Sequence, residues 1–219
     1  MVAVIVPVYW QAYGSTNFLW LSDIALILML PALWLENRMI ASMMAVGVLP
    51  LEIIWMVAFL SGGTLGHMAD YMFDPSLSLF LRGLSLFHFP MPAAIIYMLV
   101  RIGYNKHALF AQIGLVFLVL PLTYALTNAT DNVNWVFGFD GVQTTLPPLV
   151  YLAFLAMVMI ILVIIPTHFL LKKLFPIKSH TLYKQDDACL RRRAVARWEN
   201  EGGATIADQK IIHKTSNHV

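Results

Sequence analysis

The sequence predicts an all-α integral membrane protein, and three observations support this fold class. Of the 219 residues, 59% are hydrophobic and only 12% are charged, whereas a typical soluble domain has about 25% charged residues. The mean hydropathy is +0.73. Ten of the fourteen Lys and Arg residues follow Leu171. We therefore expect a transmembrane helical bundle over residues 1–171 and a basic cytoplasmic tail over residues 172–219.

Five windows have the length of about 20 apolar residues that a spanning helix needs. They cover residues 17–35, 39–60, 77–100, 108–127 and 146–171. Only three residues separate the first two windows, so we expect these helices to form a tight antiparallel hairpin. The apolar N-terminal arm lacks the preceding positive charge of a signal peptide, so we expect it to be retained.

The basic residues of the short links predict an orientation. Arg38 lies in the first link, and Arg101 and Lys106 lie in the third. The N-terminal arm and the links at 61–76 and 128–145 contain no Lys or Arg. Since cytoplasmic loops are enriched in these residues, we expect the N-terminus outside and the C-terminus in the cytoplasm.

Four polar side chains interrupt the apolar windows, namely Asp23, Glu52, Arg82 and His88. A charge at the bilayer centre costs about 2.5–3.5 kcal/mol on insertion scales, so such residues usually face the bundle interior and pair with one another. At about 1.5 Å per helical residue, all four fall in the outer half of the bundle or near its midplane. Arg82 therefore needs a carboxylate partner, and Asp23 and Glu52 are the two candidates within apolar windows.

These residues predict an outward-facing polar cavity. Helical spacing places Arg82, Ser85 and His88 on one flank of the third helix. Nearby prolines free backbone carbonyls, which membrane helices tolerate where protein or a water-filled cavity satisfies them. The 62–75 and 128–141 loops would roof the cavity. The candidate binding residues are Asp23, Glu52, Arg82, Ser85, His88, Tyr124, Asn132, Asn134 and Trp135.

Three functions are compatible with this cavity. It could bind or transport a small molecule, a lipid or an ion. It could be catalytic, with His88 as a general base oriented by Glu52 or Asp23 and activating water or Thr64 toward a lipid ester. The same residues could also form a polar clamp that fixes helix packing without any ligand. The sequence leaves all three open and indicates no particular cofactor.

Outside the cavity, one group of residues has a spacing compatible with metal binding. His67, Asp70 and Asp74 follow i, i+3, i+7 and could hold a divalent cation at the outer surface. A capped loop before the third helix is the alternative. We expect His168 to be a surface residue and Gln112 to form a hydrogen bond between helices.

The tail suggests a lipid partner. Lys172, Lys173 and the run Arg191-Arg192-Arg193 follow the last window. A cytoplasmic basic cluster next to the membrane attracts anionic lipids by about 1 kcal/mol per charge. We expect no nucleic-acid partner, since neither a binding fold nor interleaved aromatic residues accompany the arginines.

Several segments together resemble a family of bacterial integral membrane proteins that are labelled only as membrane-associated proteins. These segments are Tyr9-Trp10 with Tyr13-Gly14, Asn17-Phe18-Leu19-Trp20, Leu21-Ser22-Asp23, Tyr71-Met72-Phe73-Asp74, residues 81–88, Arg101-Ile102-Gly103-Tyr104 and residues 132–138. The resemblance covers about residues 9–138 and implies a bacterial inner-membrane location. The order of an intramembrane His, a Pro and a later Asn-rich aromatic turn is also similar to membrane acyl hydrolases and acyltransferases of the androgen-induced type. That similarity implies lipid-ester chemistry at His88.

Overall fold

The computed structural model describes residues 1–139 and 141–176, together with residues 189, 192–198 and 200. Helices account for 75% of the structure, and the described residues contain no strands. The predicted all-α class is therefore confirmed.

The chain divides into two units, Met1–Ile177 and Lys178–Val219. In the second unit, residues 192–198 are helical and exposed. The expected contact of the tail with anionic lipid depends mostly on residues outside the described ranges, and it stays a prediction.

The first unit is built from α-helices joined by short irregular segments. The α-helices are α1 (Val2–Tyr13), α2 (Leu21–Trp34), α3 (Arg38–Gly47), α4 (Leu49–Leu60), α5 (Leu79–Leu84), α6 (Pro90–Ile102), α7 (Ala108–Leu126), α8 (Pro148–Val158) and α9 (Ile165–Leu174). Single 3₁₀ turns occupy Ser15–Leu19, Asp70–Phe73, Ser85–His88 and Val133–Trp135. A π-helical stretch, Met159–Ile164, joins α8 to α9.

Several helices have the length and apolar composition of membrane spans. Three continuous helices qualify within the described residues: Leu79–Ile102, Ala108–Leu126 and Pro148–Leu174. The α3–α4 pair, bent by 48°, makes a fourth if it is one span. These three to four helices are typical of a membrane protein. The first predicted window contains only the 14-residue helix α2, so it falls short of a span by this criterion.

Helix α1 lies before the predicted windows and was missed. It has 12 residues, and Ile5 and Tyr9 are buried against the rest of the bundle. A helix of that length is much shorter than the roughly 20 apolar residues of a span, so a search for spanning windows passes over it.

The helices of two predicted windows are irregular where prolines occur. The 39–60 window bends at Val48, and Pro50 stands in the first turn of α4. Pro lacks the N–H that would continue the preceding helix. In the third window, the 3₁₀ turn Ser85–His88 separates α5 from α6, which begins at Pro90. Glu52 therefore lies in the first turn of α4, and His88 lies just before the start of α6.

Helix α3 lies at the centre of the first unit and packs against α2, α6 and α7. Its buried face carries small residues, including Ala41, Ala45 and Gly47. A Cβ atom on Gly47 would lie 2.1 Å from Nε2 of Gln112 on α7. Small residues of this kind let membrane helices approach closely, so α3 can serve as the shared packing surface.

Candidate functional site

A cavity of about 530 Å³ lies among α1, α2, α4, the Ser85–His88 turn and the two loops that were expected to roof it. Seven of the nine predicted binding residues line it: Asp23, Glu52, Ser85, His88, Asn132, Asn134 and Trp135. Arg82 and Tyr124 are not among its lining residues.

The most deeply buried polar pair of the cavity joins Glu52 and His88. Nδ1 of His88 and Oε2 of Glu52 share a hydrogen bond of 2.5 Å. Glu52 is 1% exposed and His88 is 7% exposed. The ring of His88 stacks on the indole of Trp55, with centroids 4.2 Å apart. The carboxylate and the indole thus fix the ring orientation of His88.

Trp55 was not singled out in the sequence, although it lies one helical turn after Glu52 on α4. It lines the cavity and is buried, with 4% of its surface exposed. The i, i+3 spacing from an intramembrane carboxylate was the available signal.

Asp23 is the second buried acid of the cavity, and only one of its oxygens is satisfied. Its Oδ2 accepts from Nδ2 of Asn17 at 3.1 Å. Its Oδ1 is buried without a partner, and the residue is 4% exposed. A buried acceptor without a donor is costly, and the cost is larger for a charged group. Asp23 therefore contributes a buried acceptor without a donor to the lining of the cavity.

The predicted pairing of Arg82 with Asp23 and Glu52 is wrong. Within the described residues Arg82 forms no ion pair, and its Nη1 instead donates to the carbonyl oxygen of Met72 at 2.9 Å. Two features explain the difference. Glu52 already has His88 as its partner, and the 3₁₀ turn at 85–88 interrupts the helical spacing on which a shared flank depended.

Two tyrosines line the cavity from segments outside the predicted spans. The hydroxyl of Tyr9 on α1 shares a 2.7 Å hydrogen bond with Oγ of Ser85, which links the N-terminal helix to the site. Tyr71 lies in the Asp70–Phe73 turn, and burial raises its pKa to about 12. It therefore stays protonated at neutral pH. Neither tyrosine was among the nine predicted binding residues.

The Asn132–Trp135 turn is held by its own side chains. Asn132, Asn134 and Trp135 have φ values of 38°, 53° and 56°, a region that is uncommon for residues other than glycine and strained for a bulky one. The side chain of Asn134 donates to the carbonyl oxygen of Leu19 at 2.7 Å and accepts from the amide of Leu21 at 3.1 Å. Asn134 therefore anchors this turn to the start of α2 rather than offering a free amide.

Two other predicted participants lie outside the cavity. The ring of Tyr124 packs against Phe137, with centroids 5.0 Å apart. The hydroxyl of Thr64 donates to the carbonyl oxygen of Ser61 at 2.9 Å on an exposed turn. Thr64 is not a lining residue, so it is poorly placed to act as a nucleophile beside His88.

The three candidate metal ligands do not converge. Nδ1 of His67 bonds Oδ2 of Asp70 at 2.7 Å on the exposed surface, while Asp74 accepts from the amide of Ser76 at 2.8 Å. Hydrogen bonds from Ser76 lower the pKa of Asp74. No group of three His, Cys, Asp or Glu residues within the described ranges is placed to hold a metal ion. Asp74 has the geometry of the alternative, a capped loop.

A second buried histidine lies far from the cavity residues in the sequence. The expectation that His168 is a surface residue is wrong, since it is 7% exposed and its Nδ1 meets the hydroxyl of Tyr104 at 2.9 Å. The expected hydrogen bond of Gln112 is also absent, because both of its amide atoms are buried without a partner. Its side chain packs against Gly47, which has no side chain to offer a polar group.

Fold and site together define a helical protein with membrane-length helices and a cavity that holds a buried acid–histidine pair. No family model, curated protein or solved structure matches this chain.

Proposed function

We propose that this chain is a multi-pass membrane protein that binds a small molecule in the cavity formed by Asp23, Glu52 and His88. The observation that carries the proposal is the unsatisfied Oδ1 of Asp23 at a cavity of about 530 Å³. Ligand sites are typically about 300–1,000 Å³, with a few convergent polar groups among apolar and aromatic side chains. Trp20, Trp55 and Trp135 supply such aromatic walls.

A ligand site accounts for these contacts better than a structural clamp does. A clamp is stabilising when its buried polar atoms are paired with one another. Here Oδ1 of Asp23 is buried and unpaired. Arg82, which would have completed the clamp, bonds to the carbonyl oxygen of Met72 instead. A bound molecule with a hydrogen-bond donor would satisfy Oδ1 of Asp23.

We further propose five crossings, in which α2 and the bent α3–α4 pair join the three continuous helices. The protein would lie in the bacterial inner membrane, and its cavity would open on the side opposite the cytoplasm. Arg101 pairs with Glu36 at 2.6 Å, which supports a common location for the first and third links. Together with the basic tail, these links carry the Lys and Arg residues that favour the cytoplasmic side.

Labelling with a membrane-impermeant maleimide tests this topology. Cys189 is the single cysteine and lies in the tail. In intact spheroplasts we expect Cys189 to stay unlabelled until the membrane is permeabilised. A cysteine introduced by Thr130→Cys in a Cys189→Ser background should react at once. The reverse pattern would invert the orientation, and labelling of both sites from one side would contradict a single crossing between residues 130 and 189.

Native mass spectrometry of the detergent-solubilised protein tests the binding function. We expect a small molecule to remain with the wild type and to be reduced or lost in Glu52→Gln and His88→Gln. Glu36→Gln is the matched control, because it removes a carboxylate from an exposed ion pair outside the cavity. If the wild type carries no small molecule and binds none from an extract of lipids and metabolites, the proposed binding function is wrong. The buried polar residues would then be explained as a clamp that fixes helix packing.

The Glu52–His88 geometry also supports a second function, the hydrolysis of a lipid ester. An acid that orients the imidazole through Nδ1 leaves Nε2 to take a proton from water, as general-base catalysis requires. Turnover of an ester probe by the wild type that is abolished in His88→Gln and retained in Glu36→Gln, a variant outside the cavity, would establish it. Absence of turnover across acyl-chain lengths would exclude it.

A further inference from the structure

We propose that the cavity is selective for a small organic cation with an ammonium group. The inference rests on the proposed binding function and specifies the ligand class. It follows from the charges, the aromatic walls and the unsatisfied acceptor of the same cavity.

The charges that line the cavity are negative. Asp23, Glu52 and Asp131 contribute carboxyl groups, whereas no Lys or Arg occurs among the described residues of the lining. Arg82 is the basic residue nearest in sequence to His88, and its guanidinium bonds to Met72. The described lining therefore offers carboxyl groups and no Lys or Arg side chain, which favours a cation over an anion.

The aromatic walls favour an organic cation over an inorganic one. The rings of Trp20, Tyr71 and Trp135 border the cavity, and an ammonium group over the face of such a ring is attracted to its quadrupole. The described Asp, Glu, His and Cys side chains do not form a set of three that could hold a metal ion. A cation that needs few oxygen ligands and can contact rings therefore fits this cavity better.

Asp23 provides a directed contact for such a ligand. Its Oδ1 is buried and lacks a donor, and a charged donor forms stronger hydrogen bonds with a carboxylate than a neutral one does. A quaternary ammonium has no N–H, so it would interact with Asp23 by charge alone. Primary and quaternary probes together therefore separate the hydrogen bond from the charge.

Isothermal titration of the detergent-solubilised full chain with two matched probes tests the inference. One probe is choline, and the other is its neutral isostere, in which a tert-butyl group replaces the trimethylammonium group. Ethanolamine serves as the primary-amine probe. We expect choline to bind at least about tenfold more tightly than the isostere, since a desolvated cation–π contact has that magnitude.

Two variants test whether Asp23 is responsible for the selectivity between the probes. Asp23→Asn keeps the shape and removes the charge, so it should weaken choline and ethanolamine by about tenfold or more and leave the isostere unchanged. Glu36→Gln should leave all three affinities unchanged. The comparison of the probes on the wild type needs no variant, so a folding defect in Asp23→Asn does not affect it.

Each contrary result has a distinct meaning. Equal binding of choline and the isostere would overturn cation selectivity and leave the binding function in place. Co-purification of a neutral or anionic molecule, without binding of either amine, would do the same. If no probe binds and nothing co-purifies, both the inference and the proposed function are wrong.

Discussion

Two buried histidines in this molecule lie in different kinds of surroundings. His88 pairs with Glu52 beside a cavity, next to a second acid with an unpaired oxygen. His168 pairs with the hydroxyl of Tyr104, and neither of these two residues lines that cavity. The surroundings of His88 contain two acids, a cavity and a buried oxygen without a hydrogen-bond partner. Among the described residues, the side chain of His168 has a single hydrogen bond, to the hydroxyl of Tyr104.

The neighbourhood of Tyr104 strengthens this difference. The backbone amide of Tyr104 donates to the carbonyl oxygen of Phe175 at 3.0 Å, and the amide of Asn105 donates to the hydroxyl of Ser42 at 2.9 Å. These bonds fasten the link between α6 and α7 to α9 and α3. Buried polar groups that are fully paired stabilise a fold, whereas a buried polar group without a partner is costly to the folded state.

Removal of Glu52 should have the largest effect on stability. Glu52→Ala leaves His88 buried without its partner, and breaking a buried ion pair in this way costs about 3 kcal/mol or more. The exposed pair of Glu36 and Arg101 is the control, because Glu36→Ala should cost less than about 1 kcal/mol. Denaturant unfolding in detergent measures both. Equal losses would mean that the buried pair contributes no more than a surface pair.

The Tyr104–His168 pair should show an intermediate effect. Tyr104→Phe removes the hydroxyl and leaves Nδ1 of His168 buried without a partner, at a cost of about 1–2 kcal/mol. The same unfolding assay reports it. Ligand binding should not change, and a loss of binding in Tyr104→Phe would show that the two histidine regions are coupled.

Gln112 represents a third case, an unpaired polar group that does not line the cavity. Gln112→Met keeps the approximate shape and removes two buried unpaired atoms, so we expect the free energy of unfolding to rise by about 1 kcal/mol. Binding should be unaffected. A decrease in stability would indicate that the amide has a partner, such as a buried water.

Much of the fold could be predicted from composition and hydropathy, and the site only in part. Apolar windows located the long helices, since bilayer thickness fixes their length. Intramembrane charge identified Asp23, Glu52 and His88, because such residues are costly unless they face the interior. These three residues line one cavity.

The remaining features depend on three-dimensional packing. Arg82 was assigned to the acids because a buried charge needs a partner, but its Nη1 donates to the carbonyl oxygen of Met72 instead, and its Nε is buried without a partner. The 3₁₀ turn before Pro90 also altered the expected helical spacing. Helix α1 and its Tyr9 were missed because a short helix that packs on a bundle lacks the length signal on which the prediction relied.

Asp23→Asn and Tyr104→Phe together give the most direct test of the binding site. Both proteins would be washed free of small molecules for unfolding measurements, and native mass spectra would be recorded before washing. We predict that Asp23→Asn changes stability by less than about 0.5 kcal/mol, because no donor to Oδ1 is lost, and that it loses the bound molecule. Tyr104→Phe should lose stability and keep the molecule. If Asp23→Asn instead loses as much stability as Tyr104→Phe and still carries the bound molecule, Asp23 has a structural role and does not hold the ligand.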